Sequence, residues 1–186
     1  MAANSVYVND VLQVLPNPYA LTIKPRLEYS AFLANSILKK LQKEQKFIRE
    51  SNRNFYLENE GMVTDNIQFK EAVYLETCIA CGIETIKIAQ RRINSVSNIS
   101  NLSQIISPLV SAVRTISSNL YLGLPQISRD LVELSGLLGS IVMDSGSLSE
   151  VKFDFKQTNL ESRHILAEVN LIVESKIRTS YPNLST

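Results

Sequence analysis

Residues 26–57 contain neither proline nor glycine, the two residues that most often interrupt a helix. Apolar residues recur through this stretch at intervals of three, four or seven, which is the spacing of one face of an α-helix. These residues are Leu27, Ala31, Ala34, Leu38, Leu41 and Ile48. At the helical rise per residue the stretch would form a rod about 48 Å long. We therefore predict a long first helix.

A second helical pattern follows the turn expected at Gly61. It runs over residues 65–101, with Asp65 as its N-cap. Two long helices joined by a short turn are expected to pack as an antiparallel hairpin. Ser107 and Pro108 are typical of an N-cap followed by the first helical position, which predicts a third helix from there to Leu120. Periodic apolar residues predict two more helices, over residues 126–143 and 158–178. The expected fold is all-α, a long antiparallel helical hairpin plus three shorter helices.

The distribution of prolines and of small polar residues predicts how the chain is organised. Pro16, Pro18 and Pro25 break up the N-terminal part, and a serine- and glycine-rich stretch begins at Ser145. We predict a flexible N-terminal segment, a helical core, a linker, and a C-terminal regulatory helix with a short tail. These are residues 1–25, 26–143, 144–157 and 158–186. The N-terminal segment is a candidate membrane contact through Val6, Val11, Leu12 and Leu15.

The composition argues against an enzyme. The 186 residues suit one domain and include one histidine and six glycines, and no phosphate-binding loop, nucleophile elbow or zinc-protease motif occurs. We therefore expect no catalytic residue, no cofactor and no metal. The N-terminus lacks a basic region of the signal-peptide type, and no apolar stretch approaches the roughly 20 residues of a membrane-spanning helix. These features predict a soluble, intracellular protein.

Cys78 and Cys81 form the one arrangement that could suggest redox or metal chemistry. A zinc site would need two further ligands, and a thioredoxin-like pair would follow a strand. This pair lies instead within a predicted helix, on one face. We interpret both as small buried apolar residues, with an oxidoreductase as the minor alternative.

The net charge of +1 hides an uneven distribution. Residues 24–56 carry eight basic and three acidic residues, a net charge of +5, so the rest of the chain carries −4. Five of the basic residues recur at steps of three or four and share one side of the first helix. They are Lys39, Lys43, Lys46, Arg49 and Arg53. Acidic residues cluster beyond them, at Glu58, Glu60, Asp65, Glu71 and Glu76.

The side of the first helix that carries these five basic residues has two interpretations. It is either an ordinary solvated helix face or a contact for an anionic membrane surface, where each cation contributes about 1 kcal/mol. Nucleic acid is not expected as a partner, because no aromatic platform or known binding motif accompanies these cations.

Four segments carry a resemblance to a known family. They are residues 84–93 (ETIKIAQRRI), 105–109 (IISPL), 122–126 (LGLPQ) and 131–141 (LVELSGLLGSI). In this order, with a basic first helix and an acidic start of the second, the chain resembles the ESCRT-III family over about residues 20–178. The likeness is to archaeal CdvB-type paralogues of cell division.

The resemblance implies a subunit that polymerises, alone and with paralogues, into filaments on the cytoplasmic face of the membrane at the division site. There the filaments drive constriction and scission. It makes the basic face a membrane-binding or inter-subunit surface, and the acidic cluster a set of inter-subunit candidates. It also implies disassembly by a AAA ATPase of the CdvC type. Because only a short tail follows Arg178, we expect that contact to be made through sister subunits. The alternative is a helical-bundle adaptor that binds a partner and does not polymerise.

Overall fold

The computed structural model describes residues 22–59, 66–97, 101–148, 155–182 and 184. These residues form five α-helices and no strand, which confirms the all-α class. In chain order the helices are α1 (Ile23–Glu58), α2 (Ile67–Asn94), α3 (Leu102–Leu120), α4 (Pro125–Leu148) and α5 (Phe155–Ser180). None of them combines the length and the apolar character that crossing a membrane requires.

Helix α1 begins earlier than the sequence predicts and includes Pro25 in its first turn. The prediction that Pro25 breaks the chain is wrong. An amide in the first turn has no acceptor inside the helix, so proline removes no hydrogen bond there. The first intrahelical bond instead runs from the Arg26 amide to the Thr22 carbonyl, at 3.2 Å.

Helix α2 runs antiparallel to α1. Near one end of the pair the rings of Phe55 and Phe69 stack with centroids 5.5 Å apart, and at the other end Ala31 and Asn94 line one groove. The N-cap of α2 is Asn66 rather than Asp65, which lies outside the described residues. The Asn66 side chain accepts a 2.9 Å hydrogen bond from the Phe69 amide.

Helix α3 begins at Leu102, so the predicted start at Ser107 and Pro108 is wrong and Pro108 lies inside the helix. A proline there destabilises a helix by about 3 kcal/mol. The helix nevertheless continues because its apolar stripe continues: Leu102, Ile106 and Leu109 are all fully buried. The packing of this buried stripe outweighs the tendency of proline to end a helix.

Helices α3 and α4 pack antiparallel across a short turn, and the hydroxyls of Ser117 and Ser128 lie 3.0 Å apart between them. Helix α4 in turn runs antiparallel to α1. The Lys40 Nζ lies 2.7 Å from the Asp130 carboxylate, and Arg26 pairs with Asp144 nearer the start of α1. Helices α1 to α4 therefore close into an up-down-up-down bundle, and each neighbouring pair buries its apolar faces.

Helix α5 lies against α2 and α3. Its inner face is buried in the shared core through Ile165, Val169, Val173 and Ile177. Because α4 extends to Leu148 and α5 begins at Phe155, helices occupy both ends of the predicted linker over residues 144–157. Residues 149–154 lie outside the described part of the chain.

Candidate functional site on the outer face of α1

The five predicted basic residues lie on one exposed side of α1. At 100° per residue their positions span an arc of about 120°, opposite the fully buried Ala34, Ile37 and Leu41. We call this side the basic face; it comprises Lys39, Lys43, Lys46, Arg49 and Arg53, all exposed. One side of α1 is therefore buried in the core, and the cations lie on the opposite, exposed side.

Two large apolar side chains lie within the arc of the basic face and a third borders it, and the sequence analysis missed all three. Phe32 is 69% exposed, Phe47 73% and Leu57 62%. Their spacing in the sequence could have identified them, because Phe32 precedes Lys39 by seven residues and Leu57 follows Arg53 by four, and both intervals place residues on the same side of a helix. Exposed aromatic and aliphatic side chains beside cations give this face both the charge and the apolar area that attract a protein to an anionic membrane surface.

Most of the basic face is not neutralised by the chain itself. Lys39, Lys43, Lys46 and Arg53 have no ion-pair partner among the described residues. Arg49 differs, because its Nε lies 3.6 Å from the Glu76 carboxylate and its Nη2 donates to Ser180 Oγ at 3.1 Å. Within the described residues, Arg49 is therefore the one cation of this face that is paired inside the chain.

The acidic residues predicted as inter-subunit candidates do not form one surface. Glu58 and Glu71 are exposed, whereas Glu60 and Asp65 lie outside the described residues. Glu76 is only 1% exposed. The expectation that Glu76 meets another copy does not apply to this arrangement, because its partners lie within the chain.

Glu76 is the centre of a buried polar cluster. Its Oε2 accepts hydrogen bonds from Asn52 Nδ2 of α1, at 2.9 Å, and from the Tyr181 hydroxyl just beyond α5, at 2.8 Å. The Tyr181 ring also packs edge-on against Tyr56 and Phe69, with centroids 5.5 and 5.6 Å away. Burial, and then the hydrogen bond to Glu76, raise the pKa of Tyr181 above its usual value. The end of α5 is thereby fastened to the α1–α2 pair.

A second, more exposed contact joins α5 to α2. Glu84 Oε1 accepts hydrogen bonds from Lys176 of α5, at 2.8 Å, and from Lys87, at 3.2 Å. Partial burial alone would raise the pKa of Glu84, but the two lysines outweigh it and lower the pKa. The carboxylate therefore stays charged, which maintains the link to α5.

Cys78 and Cys81 are both buried and unbridged, which confirms the interpretation as small core residues. Burial raises the pKa of Cys78, and it raises that of Cys81 to about 11. Within the described ranges no group of three or more candidate ligands could hold a metal ion. The N-terminal candidates Val6, Val11, Leu12 and Leu15 lie outside those ranges.

Comparison with known proteins adds no family assignment. No protein-family model matches the sequence, and no solved structure matches the fold.

Proposed function

We propose that this chain is an ESCRT-III-like subunit that polymerises into filaments on the cytoplasmic face of a membrane. In this role it is peripheral on the inner membrane face at the division site, where it contributes to constriction and scission in archaeal cell division. The observation that carries the proposal is the basic face of α1, where Lys39, Lys43, Lys46 and Arg53 lie beside exposed Phe32 and Phe47 and have no ion-pair partner among the described residues.

The chemistry of this face suits an anionic bilayer. Each cation near anionic headgroups contributes about 1 kcal/mol of attraction, and phenylalanine side chains that enter the interface add apolar burial. A helix of 36 residues is about 54 Å long. It can therefore place all of these side chains along one line of lipid. The exposed Glu50 on the same side reduces the attraction without reversing it.

The resemblance to the ESCRT-III family supports the assembly part of the proposal. The antiparallel packing of α1 and α2 is compatible with the long hairpin core that the resemblance implies. The proposed partners are further copies of this chain, ESCRT-III paralogues, the anionic membrane and, through sister subunits, a AAA ATPase of the CdvC type. Nucleic acid is not among them.

The proposal gives α5 a regulatory role. Its inner face packs on α2 and α3, and its end is fastened by the hydrogen bond from Tyr181 to Glu76. This state corresponds to a closed subunit in which α5 covers a surface that another copy would use. The closed subunit and an open subunit with α5 released would then be the two states of one equilibrium, and release of α5 would permit polymerisation.

Vesicle flotation and negative-stain microscopy test the proposed function. The full chain is mixed with vesicles of neutral phosphatidylcholine, or with vesicles that also contain an anionic phospholipid. We expect flotation with the anionic vesicles, weakened by salt, and filaments on their surface. A protein that stays unbound and monomeric with both vesicles would contradict the proposal.

One observation favours the alternative, a helical-bundle adaptor that does not polymerise. The apolar stripes of the helices are covered within a single chain, including the inner face of α5. A monomer that binds anionic vesicles without forming filaments would support this alternative over the filament subunit.

A further inference from the structure

A groove lies between the second half of α1 and the end of α5. Its volume is about 450 Å³, which is within the range of small-molecule sites in proteins. The residues that line it include Arg49, Arg53 and Tyr56 of α1 and Thr179, Ser180 and Tyr181 at the end of α5. The groove therefore adjoins the hydrogen bond by which Tyr181 fastens α5 to Glu76.

The described lining of this groove is basic and contains no carboxylate. Its charged groups are the guanidinium groups of Arg49 and Arg53. Three other grooves among the described residues each include an acidic side chain, which is Glu84, Glu174 or Glu133. An anion that enters the groove at the end of α5 therefore meets two cations and no carboxylate in its lining.

The two arginines differ in how they are held. The Arg49 Nε lies 3.6 Å from the Glu76 carboxylate, and its Nη2 donates to Ser180 Oγ at 3.1 Å. These contacts position the guanidinium, and its Nη1 has no hydrogen-bond partner among the described residues. Arg53 is exposed one helical turn later, without an ion pair in the described part of the chain. One arginine is thus positioned before a ligand arrives, and the other supplies charge that Glu76 does not offset.

The ligand that matches these donors is a phosphate group. A phosphate monoester carries a charge of about −1.5 to −2 and three acceptor oxygens, whereas a carboxylate offers one charge and two oxygens. Guanidinium groups bind phosphate through paired N–H donors. The hydroxyls of Thr179 and Ser180 now donate to carbonyls one turn earlier in α5, and a hydroxyl can rotate towards a ligand. The last carbonyls of α5 oppose an anion, but only with a partial charge.

We infer that this groove binds a phosphate group, carried by a soluble compound or by a lipid headgroup, and that the bound group holds the end of α5 against α1. The site is complete only while α5 is packed, because its lining comes from both helices. A ligand that binds only the packed arrangement stabilises it by mass action. The binding site does not depend on a filament role, but its consequence for assembly, opposition to the release of α5, rests on the proposed function.

Calorimetric titration of the full chain with inorganic phosphate measures the site, with sodium chloride at the same ionic strength as the reference. Arg53→Gln should raise the Kd about tenfold or more, because it removes charge-assisted hydrogen bonds. Arg53→Lys keeps the charge but not the paired donors and should give an intermediate Kd.

Lys39→Gln is the matched control. It removes the same charge from an exposed position of α1, fourteen residues before Arg53. That separation is about 21 Å along the helix, which exceeds the screening length at physiological salt. The Kd for phosphate should therefore stay within about twofold of the wild-type value. Circular dichroism verifies that each variant is folded.

Hydrogen exchange measures the effect on α5. Inorganic phosphate should slow the exchange of the backbone amides of residues 176–181 in the wild type, because opening of the end of α5 would require the ligand to dissociate. In Arg53→Gln the same phosphate concentration should have little effect. Phosphate binding that leaves this exchange unchanged would overturn the link to α5.

Vesicle flotation distinguishes the two sources of the phosphate group. Phosphatidylcholine vesicles contain either phosphatidic acid, which has a phosphate monoester, or phosphatidylserine, which has none, at equal surface charge. A preference for phosphatidic acid that Arg53→Gln removes and Lys39→Gln retains assigns the groove to a lipid headgroup. Equal flotation with both vesicles, together with binding of inorganic phosphate, assigns it to a soluble compound.

Two results would overturn the phosphate site. One is a chain that neither binds inorganic phosphate nor prefers phosphatidic acid, and the other is an equal loss of binding in Arg53→Gln and Lys39→Gln. Failure of the proposed function is separate. A chain that binds inorganic phosphate but floats with neither vesicle retains the groove, whereas one that floats equally with both and does not bind phosphate retains only the membrane role of α1.

Discussion

The hydroxyl of Tyr181 donates a 2.8 Å hydrogen bond to the carboxylate of Glu76, a residue 105 positions earlier in the chain. Both side chains are about 1% exposed. A buried carboxylate is strongly destabilising unless it is hydrogen-bonded or paired, and Glu76 obtains its partners from α1 and from the residue that follows α5. The position of α5 is therefore coupled to the stability of the α1–α2 pair.

Replacing Tyr181 with phenylalanine should destabilise the fold by about 2 kcal/mol, because it removes a hydrogen bond to a charged, buried group. Tyr121→Phe is the matched control, since Tyr121 is exposed in the α3–α4 turn and its change should stay within about 0.5 kcal/mol. Urea unfolding followed by circular dichroism measures both. Equal losses in the two variants would contradict a special role for Tyr181.

Alkaline pH should weaken the same contact. Burial and the hydrogen bond to Glu76 raise the pKa of Tyr181 above its ordinary value of 10.0. Its contribution to stability is therefore intact below about pH 10 and is lost as the pH rises above that value. The measurement is the difference in unfolding free energy between wild type and Tyr181→Phe from pH 8 to pH 12. We expect this difference to shrink as the pH rises; a constant difference would refute the coupling.

Reversing three charges on the basic face should weaken membrane binding. Lys39→Glu, Lys43→Glu and Lys46→Glu together remove about 3 kcal/mol of attraction and add repulsion from three carboxylates, so the affinity for anionic vesicles should fall by at least about a hundredfold. Reversal of three exposed cations elsewhere gives a control with the same net charge. These are Lys70, Arg163 and Arg178. If both triple variants lose equal affinity, net charge and not the basic face governs binding.

Release of α5 should promote assembly. Val169 is fully buried on the inner face of α5, whereas Leu171 on its outer face is 70% exposed. Val169→Ser should therefore loosen α5 and increase filament formation, and Leu171→Ser should leave it unchanged. Deletion of residues 158–186 is expected to have the stronger effect. Negative-stain microscopy distinguishes filaments from amorphous aggregate, and a Val169→Ser protein that stays monomeric would contradict the regulatory role.

Two glycine substitutions should differ in their effect on stability. Gly139→Ala gains helix propensity without a clash, because the nearest atom to the added Cβ lies at 3.9 Å, so it should stabilise the fold by about 0.5–1 kcal/mol. Gly82→Ala places a Cβ against Ile116 and Leu41 at 3.3 Å, so repacking offsets the gain. Thermal unfolding of the two variants and the wild type measures both. A larger gain at Gly82 than at Gly139 would contradict the packing described for α2.

Helical periodicity identified the long helices because each buries a continuous stripe, and a stripe is visible in the sequence of one element. The burial of Cys78 and Cys81 was predictable for the same reason. Local signals failed where packing overrode them. Pro108 lies inside α3 because the stripe on both sides of it is buried, and Asn66 rather than Asp65 caps α2.

The side of α1 that carries Lys39, Lys43, Lys46, Arg49 and Arg53 was determined by the sequence alone, since helical spacing fixes which residues share a face. Only the tertiary structure decided which of these charges remain available. Glu76 was one acidic residue among several in the sequence, and contacts with Asn52 and Tyr181 made it part of the core. The spacing of residues in the sequence determines which side of its own helix each residue occupies. Whether that residue is buried depends on which other helices pack against that side.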